Sequence, residues 1–268
     1  MKLEVILTPA ELPALAKRDL RNSVCVVFDV LRATSTIVTA LHHGAKAVVP
    51  VSEIAEALAF KNSEFGIRNS ELILLGGERD GLKICAAQIG GTDFDLGNSP
   101  RECTPERVGG RMIVSTTTNG TRALRACAGA KTVLAGSFLN LTATAEFIRR
   151  QELENVLLVC AGTHENSALE DVLAAGALIE LLAACEDQPS PGYGATSAHP
   201  TLSDSAELAR RVWAQAKSDL AGAVCGSQNA RLLLAIPELR DDVPFCLQRD
   251  IFPLVAKLDA DGIIHCIK

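Results

Sequence analysis

Apolar and polar positions along the chain fall into a recurring unit: a short apolar run rich in β-branched residues, then a polar turn, then an amphipathic or Ala-rich stretch. Runs over residues 2–7, 24–29, 45–51, 71–75, 111–115, 131–135 and 155–160 read as strands, because short apolar segments bounded by turn residues suit buried strands. Helices are predicted over 9–20, 33–43 with Gly44 closing the last turn, 52–62 with Ser52 as cap, from the 116–121 turn to about 129, over 139–151, and through the Ala/Leu-rich stretch to about 185. Residues 80–101 and the Pro/Gly/Ser-rich stretch 186–203 read as loops. Beyond them, Asp204 caps a helix to about 218, shorter helical pieces run to 234, and 255–267 forms a hairpin around 259–262. Strand, turn and helix in alternation predict an α/β fold, a three-layer α/β/α sandwich around a largely parallel or mixed sheet, built as one domain over residues 1–268.

Composition narrows the picture. The chain is 48% hydrophobic with 22% charged residues, as expected of an ordered soluble protein. Its net charge of −6 comes without any basic cluster, which argues against nucleic acid or an anionic membrane as partner. The first twenty residues lack a continuous apolar core, and the longest apolar tract, 172–185, is short and carries Glu180, so a cytoplasmic protein is expected. Nine dispersed cysteines without a Cys-x-x-Cys pair read as reduced core thiols. Ala-rich helices can pack within the molecule or between copies, which leaves a homo-oligomer open.

Candidate chemistry gathers where the predicted strands end. Ligands of open α/β sheets bind beyond the carboxyl ends of the strands, and polar residues cluster there: Asp29 with Arg32, Glu78 with Arg79, the string Ser115-Thr116-Thr117-Thr118-Asn119-Gly120-Thr121, and His164 to Asp171, which includes Glu170. Asn98-Ser99 is a fifth candidate. Asp29, Glu78, Glu170 and Asp171 supply carboxylate oxygens of the kind a hard divalent cation such as Mg2+ prefers. Arg32 and Arg79 are donors for phosphate oxygens, and the 116–121 string adds hydroxyls and backbone N–H groups at a second helix start. Carboxylates, a cation, arginines and helix starts together suit phosphoryl-group chemistry, whose chief demand is to position and neutralise negative charge. Each piece also has a plain structural reading, Asp29 as a helix cap and Glu170-Asp171 as complements to a helix dipole.

Two alternatives stay open. The same groups could form a non-catalytic module that binds a phosphorylated metabolite. The spacing from Cys225 to Arg231 also fits the Cys-x5-Arg loop of cysteine phosphatases, although the residues before Cys225 look helical where that motif needs a strand.

The strings FDVLRATSTIVTAL (28–41), GGER (76–79), FDLGNSP (94–100), STTTNGT (115–121) and CAG followed by LEDVLAAGAL (160–178), in this order, resemble the 2-phosphosulfolactate phosphatase (ComB) family over most of residues 1–185. The resemblance implies a magnesium-dependent hydrolase that converts 2-phospho-3-sulfolactate to 3-sulfolactate and phosphate, a step toward coenzyme M. In the mechanism expected from the strand-end residues, Asp29, Arg32, Glu78 and Asp171 carry the chemistry and the metal is held by Asp29 and Glu78 with help from Glu170 or Asp171. Arg79, Asn98, Ser99 and residues 116–120 would bind the phosphorylated, sulfonated acid.

Overall fold

Successive residues of the strand that ends at Phe28 face opposite ways, and both faces are apolar: Val24, Val26 and Phe28 enter one core cluster while Cys25 and Val27 enter another. A strand buried on both sides must lie inside a sheet that is covered twice, and the sheet is built so. The computed structural model describes residues 1–151, 153–184 and 200–267. Its strands are β1 (Lys2–Ile6), β2 (Ser23–Phe28), β3 (Ala47–Pro50), β4 (Ile73–Arg79), β5 (Leu82–Lys83), β6 (Met112–Thr116), β7 (Thr132–Gly136), β8 (Asn155–Cys160), β9 (Thr201–Leu202), β10 (Val255–Leu258) and β11 (Ile264–Ile267). They form one mixed sheet in the order β5-β4-β6-β3-β11-β10-β7-β2-β8-β1-β9.

Helices Leu141–Arg149, Leu169–Ala184 and Asp204–Ala216 contribute to the core on one face, and Ala33–His42 and Gly120–Ala126 to the core on the other. A third, smaller cluster joins β3, β4 and β6 to the helix Ile54–Lys61 through Val49, Leu75, Val114 and Ala57. The α/β/α sandwich around a mixed sheet follows from these layers.

Two parallel wings flank the hairpin β10–β11. β7, β2, β8, β1 and β9 run parallel to one another, as do β3, β6 and β4, and the hairpin is antiparallel to both its neighbours. An odd number of antiparallel pairings separates the wings, so their strands run in opposite senses. Twist of about 20–25° per step accumulates over the intervening strands, and the segment after β6 comes to lie against the segment after β2. A Cβ on Gly120 would stand 2.6 Å from Asp29 Oδ2.

Local differences from the expected elements have local causes. The helix expected over 9–20 is reduced to a 3-10 turn Pro9–Glu11 and one α-turn Leu12–Leu15, because Lys17, Arg18 and Asp19 are exposed and Asp19 instead closes a turn onto the Arg21 N–H. β4 runs through Gly76-Gly77-Glu78 to Arg79 and returns in β5 over Asp80 and Gly81, with φ values of 53° and 79°. Positive φ at both positions is the signature of a two-residue hairpin turn, for which Asp-Gly is a preferred pair. Ser203, one residue before the expected cap Asp204, caps the last long helix by accepting the Ala206 N–H at 3.2 Å. The loop reading of 186–203 falls mostly outside the described residues. No described helix is long and apolar enough to cross a membrane.

Candidate active site

The turn after β2 is the hub of a cavity of about 140 Å³, room for several water-sized groups rather than one. Asp29, Leu31 and Arg32 form one wall; Glu78, Asp80 and Gly81 of the β4–β5 hairpin form the next. Asn98, then Thr118 and Asn119 beyond β6, then Gly162, Thr163 and His164 beyond β8, continue around it. The helix Gln228–Leu234 closes it with Gln228, Asn229, Leu232 and Leu233.

Asp29 sits where an apolar strand must hand its chain to a helix. One carboxylate oxygen, Oδ1, accepts the Ala33 N–H at 3.0 Å, and Thr34 Oγ1 donates back to the Asp29 carbonyl at 3.0 Å. The residue therefore does cap its helix, and it keeps a second oxygen in the cavity wall beside Gly120. Burial pushes its carboxyl up to about 6, opposed by the Ala33 amide and reinforced by the charges of Glu78 and Glu170. The Arg32 guanidinium opposes the rise without cancelling it.

The other carboxylates are held in different ways. Glu78 accepts the N–H and the hydroxyl of Thr118 on Oε1 at 2.9 and 3.0 Å, and the Gly81 N–H on Oε2 at 2.9 Å, so it locks the hairpin to the segment after β6. Asp171 is buried behind the cavity, where it accepts the Val30 and Gly162 N–H groups at 2.8 and 3.0 Å, one on each oxygen. It clamps the turns after β2 and β8 together, and burial with the nearby charges of Asp29 and Glu170 holds its carboxyl well above the usual range. Glu170, also buried, accepts Asn229 Nδ2 at 2.7 Å on one oxygen and has no partner for the other. Asn119 Oδ1 and Thr163 Oγ1 are likewise buried without a hydrogen-bond partner.

Among the described residues no group of three or more His, Cys, Asp or Glu is arranged to hold a metal ion. The polar atoms nonetheless suit a hard cation, since the orphaned buried oxygens of Glu170 and Asn119 lie on the segments that meet at Asp29, and such oxygens are costly until something positive satisfies them.

Among the other residues singled out from sequence, Asn98, Thr118 and Asn119 line the cavity. Arg32 lines it too, with two of its terminal nitrogens already engaged, Nη1 to Asp242 Oδ2 at 2.7 Å and Nη2 to the Gly81 carbonyl at 2.6 Å. Arg79, Ser99, Thr116, Thr117, Gly120, Glu170 and Asp171 are not among its walls. Arg79 Nη2 instead donates to Thr116 Oγ1 at 3.1 Å and stitches β4 to β6, while Thr117 caps the helix Gly120–Ala126 by accepting the Thr121 N–H. Ser99 donates to Asp242 Oδ1 at 2.7 Å. Cys225 ends the helix Leu220–Cys225, and Arg231 lies in the next helix bonded to the Gly226 carbonyl. Neither lines the cavity, and a helix rather than a strand leads into the cysteine.

Sequence reasoning missed Asp80-Gly81, Asn229 and Asp242, whereas His164 heads the polar cluster read at the end of its strand. The Asp-Gly pair was a usable turn signal, and His164 stands in a polar post-strand loop with φ 54°. Asn229 and Asp242 lie in short helical pieces that no local pattern connects to β2.

The family model for 2-phosphosulpholactate phosphatase matches residues 7–261. A protein of Caldicellulosiruptor saccharolyticus named "Probable 2-phosphosulfolactate phosphatase" is 45% identical over 166 residues, 60% of this chain and 63% of that protein. Proteins of the same name from Caldanaerobacter subterraneus and Pseudothermotoga lettingae are 37% and 39% identical over 92% and 91% of this chain, and 92% and 93% of their own lengths.

Proposed function

The chain belongs to the 2-phosphosulfolactate phosphatase family, and from that premise we propose that it hydrolyses 2-phospho-3-sulfolactate to 3-sulfolactate and phosphate with the help of Mg2+. The observation that carries the reading is the surplus of acceptor oxygens around Asp29, where a buried Glu170 oxygen and a buried Asn119 oxygen have no donor. An anionic substrate beside Asp29, with the charges of Glu78 and Glu170 close by, would be repelled unless a cation lay between them.

Asp29, Glu170 and Asn119 are the residues whose oxygens would hold the cation, with Glu78 beside them. When bound, the cation supplies positive charge against the phosphate oxygens and lowers the cost of their negative charge in the transition state. Arg32 receives a further phosphate oxygen through the guanidinium hydrogens it does not spend on Asp242 and Gly81. Asn98 and the Thr118 hydroxyl orient the group from the opposite walls. Asp171 acts at one remove, fixing the backbone that carries Asp29 and the 162–164 loop. Leu31, Leu232 and Leu233 exclude water from one side.

Release of inorganic phosphate from 2-phospho-3-sulfolactate, measured with Mg2+ and again with EDTA, tests the reading. Release that EDTA abolishes is expected. No release under either condition leaves a phosphate-binding module, and release indifferent to EDTA removes the cation from the scheme.

A further inference from the structure

One charged pair lies deeper than any other salt bridge among the described residues. Arg32 and Asp242 come from positions 210 apart in the chain, and their side chains are 2% and 0% exposed. Resting on the phosphatase reading above, we propose that Asp242 is a positioning residue for this reaction, holding the Arg32 guanidinium at the cavity wall in the one orientation that receives a phosphate oxygen.

The geometry of the fork carries the argument. Asp242 Oδ2 takes Nη1 at 2.7 Å and the Gly81 carbonyl takes Nη2 at 2.6 Å, so both terminal nitrogens are pinned and the plane of the guanidinium is set before any ligand arrives. A long side chain in a cavity wall otherwise loses rotamer freedom when it binds, and that loss is here met during folding. Asp242 is itself fixed, since Ser99 Oγ donates to its other oxygen at 2.7 Å. Arg101 approaches the same oxygen at 3.8 Å from a more exposed position, which adds positive charge on the side away from Arg32. Asp242 is not a wall of the cavity, so it acts through Arg32. Ser99 adjoins Asn98, whose carbonyl accepts the Thr36 hydroxyl at 2.8 Å, so the same carboxylate ties two substrate-facing segments to one point. An Arg left unpinned would still be positive but would no longer present fixed donors.

The test uses the full chain with Mg2+, measuring kcat and KM for 2-phospho-3-sulfolactate, inhibition by inorganic phosphate, and direct titration with inorganic phosphate. Asp242→Asn is expected to raise the phosphate dissociation constant and KM about tenfold, because a charge-assisted pin becomes a neutral one. Arg32→Lys is expected to do the same, and the double variant to be no worse than the weaker single, since both act through one contact. A purely structural ion pair would lower thermal stability and the active fraction while leaving KM and the phosphate constant unmoved, and that result overturns the proposal. So does a double variant whose losses multiply. Should Asp242→Asn fail to fold, Ser99→Ala loosens the carboxylate while keeping the pair, and an unchanged phosphate constant there is equally decisive. If the wild-type chain releases no phosphate, the phosphatase reading falls while the phosphate titrations still decide the role of Asp242.

Discussion

Asp29 illustrates how one side chain can serve a fold and be disfavoured by it. Its carboxyl titrates at about 6 against an ordinary 3.8, so the folded state binds the proton more tightly than the unfolded chain. The stability this group contributes is then fully present below about pH 4, is lost as pH rises between the two values, and is gone above about 6, a difference of about 3 kcal/mol. Asp29→Asn should therefore raise the melting temperature of the EDTA-treated protein at pH 8 and leave it nearly unchanged at pH 4, while abolishing phosphate release. Equal shifts at both pH values would show that the carboxylate is not penalised as described. Gly120 offers a complementary test, for a methyl there would meet Asp29 Oδ2 at 2.6 Å and Ala33 Cβ at 2.8 Å. Gly120→Ala is expected to cost about 1–3 kcal/mol in overpacking and to reduce kcat more than that loss of stability implies. The cavity-lining residues readable from sequence were those in the polar clusters that follow the predicted strands: Asp29, Arg32, Glu78, Asn98, Thr118, Asn119 and His164. Asp242 offered no such signal, being one acid beside another in a short polar stretch, with its partner set only by tertiary packing.

At the level of elements, the β4–β5 hairpin holds the cavity together from outside. Its turn gives the Gly81 N–H to Glu78 and the Gly81 carbonyl to Arg32. Gly81 has φ 79°, and a Cβ would meet Leu232 Cδ2 at 3.1 Å. Gly81→Val is expected to cost about 1–2 kcal/mol for the left-handed backbone and to weaken phosphate binding through Arg32, measurable as a raised inhibition constant for inorganic phosphate. Strand and helix alternation was legible because each apolar run is short and each turn carries Gly, Ser, Thr or Asp. The continuation of β4 through two glycines was not, since glycines ordinarily punctuate a strand, whereas here Gly76 and Gly77 fit closely against β6 and the 96–97 backbone.

The whole molecule depends on its hairpin. β10 lies between β7 and β11, and Ala256, fully buried, pairs with Ala135 on one side and Cys266 on the other. Ala256→Pro removes a ladder donor in the middle of the sheet and is expected to cost about 3 kcal/mol or more, with both wings lost in one transition by circular dichroism. Separate melting of the wings would show them to be independent. The alternation in sequence predicted helices on both faces correctly, but nothing in it disclosed that the two parallel wings run in opposite senses, because strand direction across a sheet is fixed by pairings between distant segments.

That reversal has a consequence for how the protein is made. β10 and β11 follow the other described strands, so until residues 242–267 have been added the edges of β7 and β3 that they cover have no partner. Unpaired strand edges invite pairing with other chains. Asp242, the anchor of Arg32, also emerges in that last stretch. A translational stall before that stretch would therefore leave two sheet edges bare and Arg32 without its ion pair at the same time.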